Sequence, residues 1–161
     1  MLLHLIRHAH AVAADEDALR PLSKRGRRQV RALAKFLRAT DEFDAAEFWH
    51  SPLARSHETA RLLARRLRLK AKLVEVAGLE PGNDLAALAR RLIRLERPVA
   101  IVGHEPHLSA LASLLVARTA EPPLFVLKKC AALALERTGA RWVVRWQIPP
   151  ELLNDSEAAK K

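Results

Sequence analysis

Residues 2–11 read LLHLIRHAHA: an apolar run that stops at an arginine, two histidines one residue apart, and small alanines. The run is short and continuous, as expected of a strand buried on both faces in a sheet covered by helices. A strand that delivers cations to its own C-terminal end can open an anion site. It can also run out into a solvated basic patch, and this stretch leaves both readings open.

The rest of the chain supplies the context of that strand. Apolar spacing switches repeatedly between short runs and helical periodicity. Gly26 to Arg38 places Val30, Leu33, Ala34 and Leu37 on one helical face. AAEFWHS (45–51) reads as a second strand stopped by Pro52. Leu53 to Leu67 reads as a second helix with Ala60, Leu63, Ala64 and Leu67 inward. KLVEV (72–76) is a third strand, followed by the loop GLEPGN. Asp84 is placed to cap a third helix carrying Leu85, Leu88, Leu92 and Leu95. PVAIVG (98–103) is a fourth strand, and Leu108 to Val116 a fourth helix. FVLKKCAALALE and RWVVRWQI then predict two strands joined at TGA as a hairpin. Strands alternating with helices predict an α/β fold, a mainly parallel sheet covered on both faces with an antiparallel edge. Residues 1–150 are expected to form one domain and 151–161 a polar C-terminal tail, whose last stretch, NDSEAAKK, reads as frayed.

Composition bounds the function. The chain has 161 residues, half of them apolar and 29% charged, as in ordinary globular proteins. No apolar run reaches the roughly 20 residues that a membrane span needs, and no leader pattern is read at the N-terminus. A single cysteine, Cys130, excludes an internal disulfide and fits the reducing cytoplasm, which is the expected location. Net charge is +10, which favours anionic partners. Tyr is absent and aromatics are few, which argues against a base-stacking nucleic-acid platform. The arginines alternate with apolar positions in segments such as RGRRQVRALAKFLR and ARRLRLK, a pattern of solvated helix faces; Arg27, Arg28 and Arg31 are read that way.

Topology bears on the opening question. In open α/β sheets, ligands bind beyond the carboxyl ends of the strands, where helix N-termini also point. The first strand ends at Arg7-His8. The second ends at Ser51-Pro52, with Arg55 in the first turn of the following helix. The fourth ends at Gly103-His104, followed by Glu105-Pro106. Three separate segments thus bring Arg or His to one sheet edge, whereas a solvated face would scatter its charges along helices. Arginine forks match phosphoryl oxygens. An imidazole attacks phosphorus when one ring nitrogen is free and the other is pinned as a donor. Neighbouring guanidinium groups help keep it neutral, and a second histidine, if protonated, can offset charge during transfer. Arg7, His8, Arg55 and His104 therefore suffice for phosphoryl transfer through a phosphohistidine, with no metal or other cofactor.

These residues resemble the histidine phosphatase superfamily, whose members share an Arg-His-Gly or Arg-His-Ala start, Ser-Pro-Leu-x-Arg with Thr-Ala four residues on, and a late Gly-His. Here the matching segments are RHAHA (7–11), SPLARSHETA (51–60) and VGHEP (102–106), with LSKRGRRQV (22–30) similar to a further family stretch. The short length and the RHAxA form are most similar to phosphohistidine phosphatases of the SixA type. The resemblance implies a three-layer α/β/α sandwich like that of phosphoglycerate mutase. It implies His8 as nucleophile, with Arg7, Arg55 and His104 completing the phosphate pocket. The implied substrate is a protein phosphohistidine. Larger members supply an acid, usually Glu, from a loop beyond the third strand. Here that loop offers Glu80, with Asp84 and the ADED run (14–17) behind it, or else Glu80 is a solvated loop residue.

Other residues keep two readings each. His10 and Arg20 could touch the phosphate or line its rim. His4, His8 and His10 lack a companion carboxylate or cysteine at ligand spacing, so a metal is disfavoured, and His4 reads as a satisfied core histidine. His50 reads as packing, His57 as structural or rim, and His107 as packing or pocket mouth. Cys130 reads as buried filler within a strand. Ser51 lacks the Gly-x-Ser-x-Gly elbow of a serine nucleophile. Three functions remain open: a phosphatase for protein phosphohistidine, the same chemistry on a small phosphate or polyphosphate, and a non-catalytic polyanion-binding module. Nucleic acid and membrane are not expected partners.

Overall fold

The computed structural model describes residues 1–16 and 19–153. Its elements run β1 (Leu2–Arg7), α1 (Lys24–Thr40), β2 (Glu47–His50), α2 (Ala54–Leu67), β3 (Lys72–Glu75), α3 (Leu85–Ile93), β4 (Val99–Gly103), α4 (His107–Ala117), β5 (Ala132–Thr138) and β6 (Arg141–Ile148). The strands form one sheet in the order β3-β2-β4-β1-β5-β6. β1 to β4 pair in parallel, β5 runs antiparallel to β1, and β6 closes the hairpin at the edge. The fold is the expected α/β sandwich with an antiparallel edge.

Both sheet faces are apolar because both are covered. Leu3 and Leu5 of β1 pack with Trp49, Val99 and Ile101 under α3 and α4, whose Leu88, Leu92, Leu108 and Leu111 close that layer. Ile6, Phe48, Ala100 and Val102 point the other way, against Val30, Leu33 and Leu37 of α1 and Leu63 of α2. Each of the larger buried side chains, Leu, Ile, Val and Phe, contributes about 1.5–3 kcal/mol relative to exposure, so the alternation of the strands fixes which helix pair covers which face.

Local signals set the helix ends. The Ser23 side chain caps α1 by accepting from the Gly26 N–H, and Asp84 caps α3 by accepting from Ala86 and Ala87. Three helices end on a non-glycine left-handed residue, namely Asp41, Arg68 and Arg118.

The structure departs from two sequence expectations. The strand expected from residue 125 begins only at Ala132. Antiparallel pairing runs from Leu2–Glu136 to Ile6–Ala132 and stops there, one residue before β1 ends at Arg7, which pairs with Gly103 of β4, so residues 125–131 lie beyond the β1–β5 ladder. Cys130 therefore lies outside the strand, with φ +64°, although it is fully buried. His4 is a core residue stacked on Phe43 with centroids 4.1 Å apart, yet neither ring nitrogen makes a hydrogen bond. Burial pushes its pKa down to about 4, against a smaller pull from the Asp44 backbone.

Of the tail expected from 151, a 3-10 turn over Pro150–Leu152 is described; residues 154–161 lie outside the described ones, as does Asp17 of the ADED run. Among the described residues, no helix is long and apolar enough to cross a membrane.

Candidate active site

β2, β4 and β1 are neighbours in the sheet, so their C-terminal ends lie side by side. The backbone at the end of β1 is held by four separate segments. The His8 N–H donates to the Gly103 carbonyl (3.0 Å), and the Cys130 N–H donates to the carbonyls of Arg7 (3.1 Å) and His8 (3.2 Å). The Ala9 N–H donates to Thr59 Oγ1 (3.1 Å), and the His10 N–H to Gln29 Oε1 (2.9 Å). The left-handed backbone at Cys130 turns its amide toward the end of β1, a position that an extended strand would not reach.

The segments LSKRGRRQ and SPLARSHETA thereby acquire a mechanical meaning. Ser23 caps α1 and donates its N–H to the His10 carbonyl (3.0 Å). Glu58 accepts from the Leu22 N–H (3.0 Å) and pairs with Arg27 (3.2 Å). At Gly26 a Cβ would sit 2.0 Å from the His10 carbonyl oxygen, so α1 presses its backbone onto the loop there. Gly26→Ala is expected to destabilise the fold by about 2 kcal/mol or more, because the overlap outweighs the higher helix propensity of alanine. Denaturant unfolding measures it, and an alanine variant as stable as the parent would refute the close approach.

His8 is buried, with Nδ1 2.8 Å from the Ala9 carbonyl oxygen. A carbonyl only accepts, so Nδ1 carries the proton and Nε2 keeps its lone pair. Burial pushes the His8 pKa down to about 3. The Ala9 carbonyl opposes this shift, while His104, Arg55 and Arg7 push further down. His8 and His104 have ring centroids 5.0 Å apart. His104 Nε2 lies 2.6 Å from Ser51 Oγ, and its pKa is lowered to about 4, by burial first and then by Arg55, with Glu80 pulling the other way. Arg7 is steadied by donation from Nη1 to the Leu127 carbonyl (2.9 Å). The Nε atoms of Arg7 and Arg55 are buried without a partner. Burial, with Arg20 adding to it, lowers the Arg55 pKa. The result is a concentrated positive field around a neutral imidazole with a free lone pair.

Comparison with known proteins agrees with this geometry. Residues 3–80 match the sequence profile of the Histidine phosphatase superfamily (branch 1). The solved structure of the protein histidine phosphatase SixA complexed with tungstate superposes with a TM-score of 0.85 at 22% identity, covering 96% of this chain and 100% of that one. The N-terminal part of the chain thus matches the profile of that superfamily, and the fold is the one these phosphatases share. The alpha-ribazole phosphatase from Shigella flexneri is also similar (TM-score 0.70, 22% identity, 90% of this chain and 95% of that one). So is a mycobacterial glucosyl-3-phosphoglycerate phosphatase (TM-score 0.67, 19% identity, 90% and 97%). No curated protein sequence matches. Family match and fold together support a phosphatase.

Within this histidine phosphatase fold the remaining sequence candidates fall into place. His10 is partly exposed, with Nδ1 2.8 Å from Ser23 Oγ. Its pKa is lowered by burial and then by Lys129, Arg25 and Arg20, which puts it on a basic rim. Arg20 donates from Nε to the Val12 carbonyl (3.2 Å) in a left-handed backbone position, φ +49°. Glu80 accepts from the Gly78 N–H and from Asn83 Nδ2, both at 3.3 Å, and its charge reaches His104 and His107. Asp84 is occupied as a helix cap. His50 packs with Nδ1 on the Ser51 carbonyl (2.9 Å), and His57 is exposed beside it. His107 is buried, its pKa lowered by burial and its Nε2 without a partner.

Several residues escaped sequence reasoning. Ser51 partners His104, and Ser56 accepts from the Ser51 N–H (3.2 Å) while donating to the Val102 carbonyl (2.6 Å). Lys129 joins the rim: burial, then Arg7, Arg20, Arg25 and Arg55, lower its pKa. Glu105 accepts from Ser109 Oγ and keeps its other carboxylate oxygen buried and unpartnered, which raises its pKa. Ser51 sits in a segment already singled out, so its hydroxyl could have been flagged. Lys129 offered no signal, since only the fold brings residue 129 to the end of β1.

Proposed function

We propose that residues 1–150 form one phosphatase domain that removes phosphoryl groups through a covalent phosphohistidine on His8, without a metal. The observation that carries this reading is the pinned Nδ1 of His8, which leaves a neutral Nε2 lone pair amid Arg7, Arg55 and His104. Nε2 attacks phosphorus as the bond to the leaving group breaks, Arg7 and Arg55 hold the phosphoryl oxygens, and water then hydrolyses the N–P bond of phospho-His8. His104 is neutral in the empty pocket. The negative charge of an arriving phosphoryl group favours its protonation, so it offsets charge only once substrate is bound.

The substrate we favour is a protein phosphohistidine in the cytoplasm. The likeness to SixA supports it, as does leaving-group chemistry. A phosphohistidine imidazole leaves protonated at neutral pH and needs less help than an alkoxide, and Glu80, the candidate acid, is already bonded to Gly78 and Asn83. The rim cations Arg20, Arg25 and Lys129 favour a second reading, a small phosphate or polyphosphate.

A panel in excess EDTA separates these readings: a phosphohistidine-bearing domain, p-nitrophenyl phosphate and polyphosphate, each with the parent and with His8→Ala. The phosphohistidine is expected to turn over fastest, and only with His8 present. Faster polyphosphate or ester turnover would keep the chemistry and replace the substrate. No His8-dependent turnover at all would leave a polyanion-binding module.

A further inference from the structure

We propose that Ser51 is a positioning residue for His104: its hydroxyl donates to Nε2, which fixes the ring proton on Nδ1 and makes the neutral imidazole an N–H donor for the phosphoryl group. The inference rests on the phosphoryl-transfer reading of the His8 pocket. His104 Nε2 lies 2.6 Å from Ser51 Oγ, and both residues are buried. Either group could be the donor in that contact, so the surroundings decide. Among the described residues, His104 Nε2 is the one hydrogen-bond partner of Ser51 Oγ that could take its proton. If the ring donated instead, the hydroxyl proton of a fully buried serine would meet no acceptor. Leaving such a donor unmet disfavours that form by about tenfold or more. The hydroxyl therefore donates, and the single proton of the neutral ring sits on Nδ1. Unlike both nitrogens of His4 and Nε2 of His107, Nδ1 of His104 is not a sealed, unpartnered atom. It is the nitrogen left to the pocket, on a ring whose centroid is 5.0 Å from that of His8.

The two histidines then differ by the kind of group that each one faces. The Ala9 carbonyl can only accept, so the proton of His8 stays on the bonded nitrogen and the far nitrogen keeps its lone pair. The Ser51 hydroxyl can donate, so the proton of His104 stays on the far nitrogen. One ring offers the nucleophile, and the other a hydrogen bond to an oxygen of the group being transferred. Ser51 is itself held through its main chain. Its N–H donates to Ser56 Oγ (3.2 Å), and its carbonyl accepts from His50 Nδ1 (2.9 Å). Ser56 in turn bonds the Val102 carbonyl (2.6 Å) on β4, the strand that leads into His104. None of these bonds uses the Ser51 side chain, so Ser51→Ala should leave the backbone in place. A hydroxyl also suits the later step. When phosphoryl charge draws a second proton onto Nε2, Ser51 turns to accept from it and its own proton is left unmet. That cost keeps His104 neutral until substrate charge outweighs it.

The test begins with nitrogen NMR of the chain labelled at histidine, at neutral pH, with the His104 signals assigned by their loss in His104→Gln. In the parent, His104 is expected to carry one proton, on Nδ1, while Nε2 shows the shift of a lone-pair nitrogen. Ser51→Ala is expected to lose that single form. Turnover of the phosphohistidine-bearing domain is the second readout. Ser51→Ala should lower kcat/KM about tenfold to a hundredfold, the range for one hydrogen bond to a charged group. Ser51→Thr, which keeps the hydroxyl, should recover both the tautomer and most of the rate, and thermal unfolding of both variants separates this from a loss of fold. A parent His104 with its proton on Nε2 would overturn the proposal whatever the variants do. So would a Ser51→Ala chain with the parent's tautomer and rate. A parent without His8-dependent turnover would count against the phosphoryl-transfer reading, and the His104 tautomer would still decide whether Ser51 orients that ring.

Discussion

Replacing His8 by alanine is expected to lower kcat/KM at least about a thousandfold on any phosphoryl substrate and to abolish acid-labile labelling of the protein. The expectation follows from having one imidazole with its Nδ1 proton committed to the Ala9 carbonyl, so that Nε2 is the nitrogen left to form a bond. Single-turnover labelling, quenched in alkali and then exposed to acid, measures it. A His8→Ala chain that still accumulates an acid-labile phosphoryl group would move the nucleophile elsewhere, with His104 the next nitrogen to test.

The same residue predicts the pH profile of the parent. Only neutral His8 attacks, and burial holds its pKa near 3, with His104 near 4. Protonation therefore removes activity only at low pH. The acid limb of kcat/KM, which reports the free enzyme, should lie at or below about pH 4 once substrate ionisation is accounted for. A limb at the ordinary histidine value of about 6.5 would contradict the buried, neutral imidazole.

Arg55→Ala is expected to reduce kcat/KM by about 10²–10³ while leaving stability unchanged or raised. The loss follows from removing a guanidinium aimed at developing phosphoryl charge. The unchanged stability follows from what Arg55 does in the empty pocket, where its Nε is buried without a partner. Arg55→Lys should recover little, because a point charge cannot hold two oxygens in a fork. Steady-state kinetics beside thermal unfolding makes the check. A destabilised variant with normal kcat/KM would make Arg55 a structural residue.

Much of the architecture was legible in the sequence because apolar spacing reports burial directly. The inward faces of α1 and α2 are the ones that the periodicity names, and Val30, Leu33, Leu37 and Leu63 are all buried. The strand expected from 125 failed for a physical reason: alternation in FVLKKC marks a segment that touches the core, and it does not report whether a neighbouring strand is there to pair with. His4 was legible as core and illegible as unsatisfied, since hydrogen-bond partners come from distant segments.

The sequence by itself determined the class of fold, the two covered sheet faces and the arrival of Arg7, His8, Arg55 and His104 at strand ends, because burial period and strand direction are local properties of the chain. Only the tertiary structure decided the order β3-β2-β4-β1-β5-β6, the Ser51–His104 contact, the pressing of Gly26 onto the His10 carbonyl and the place of Lys129 on the rim. Each of these joins residues far apart in the chain. Their proximity depends on which strand lies beside which, and pairing choice is a property of the whole sheet that no single stretch encodes.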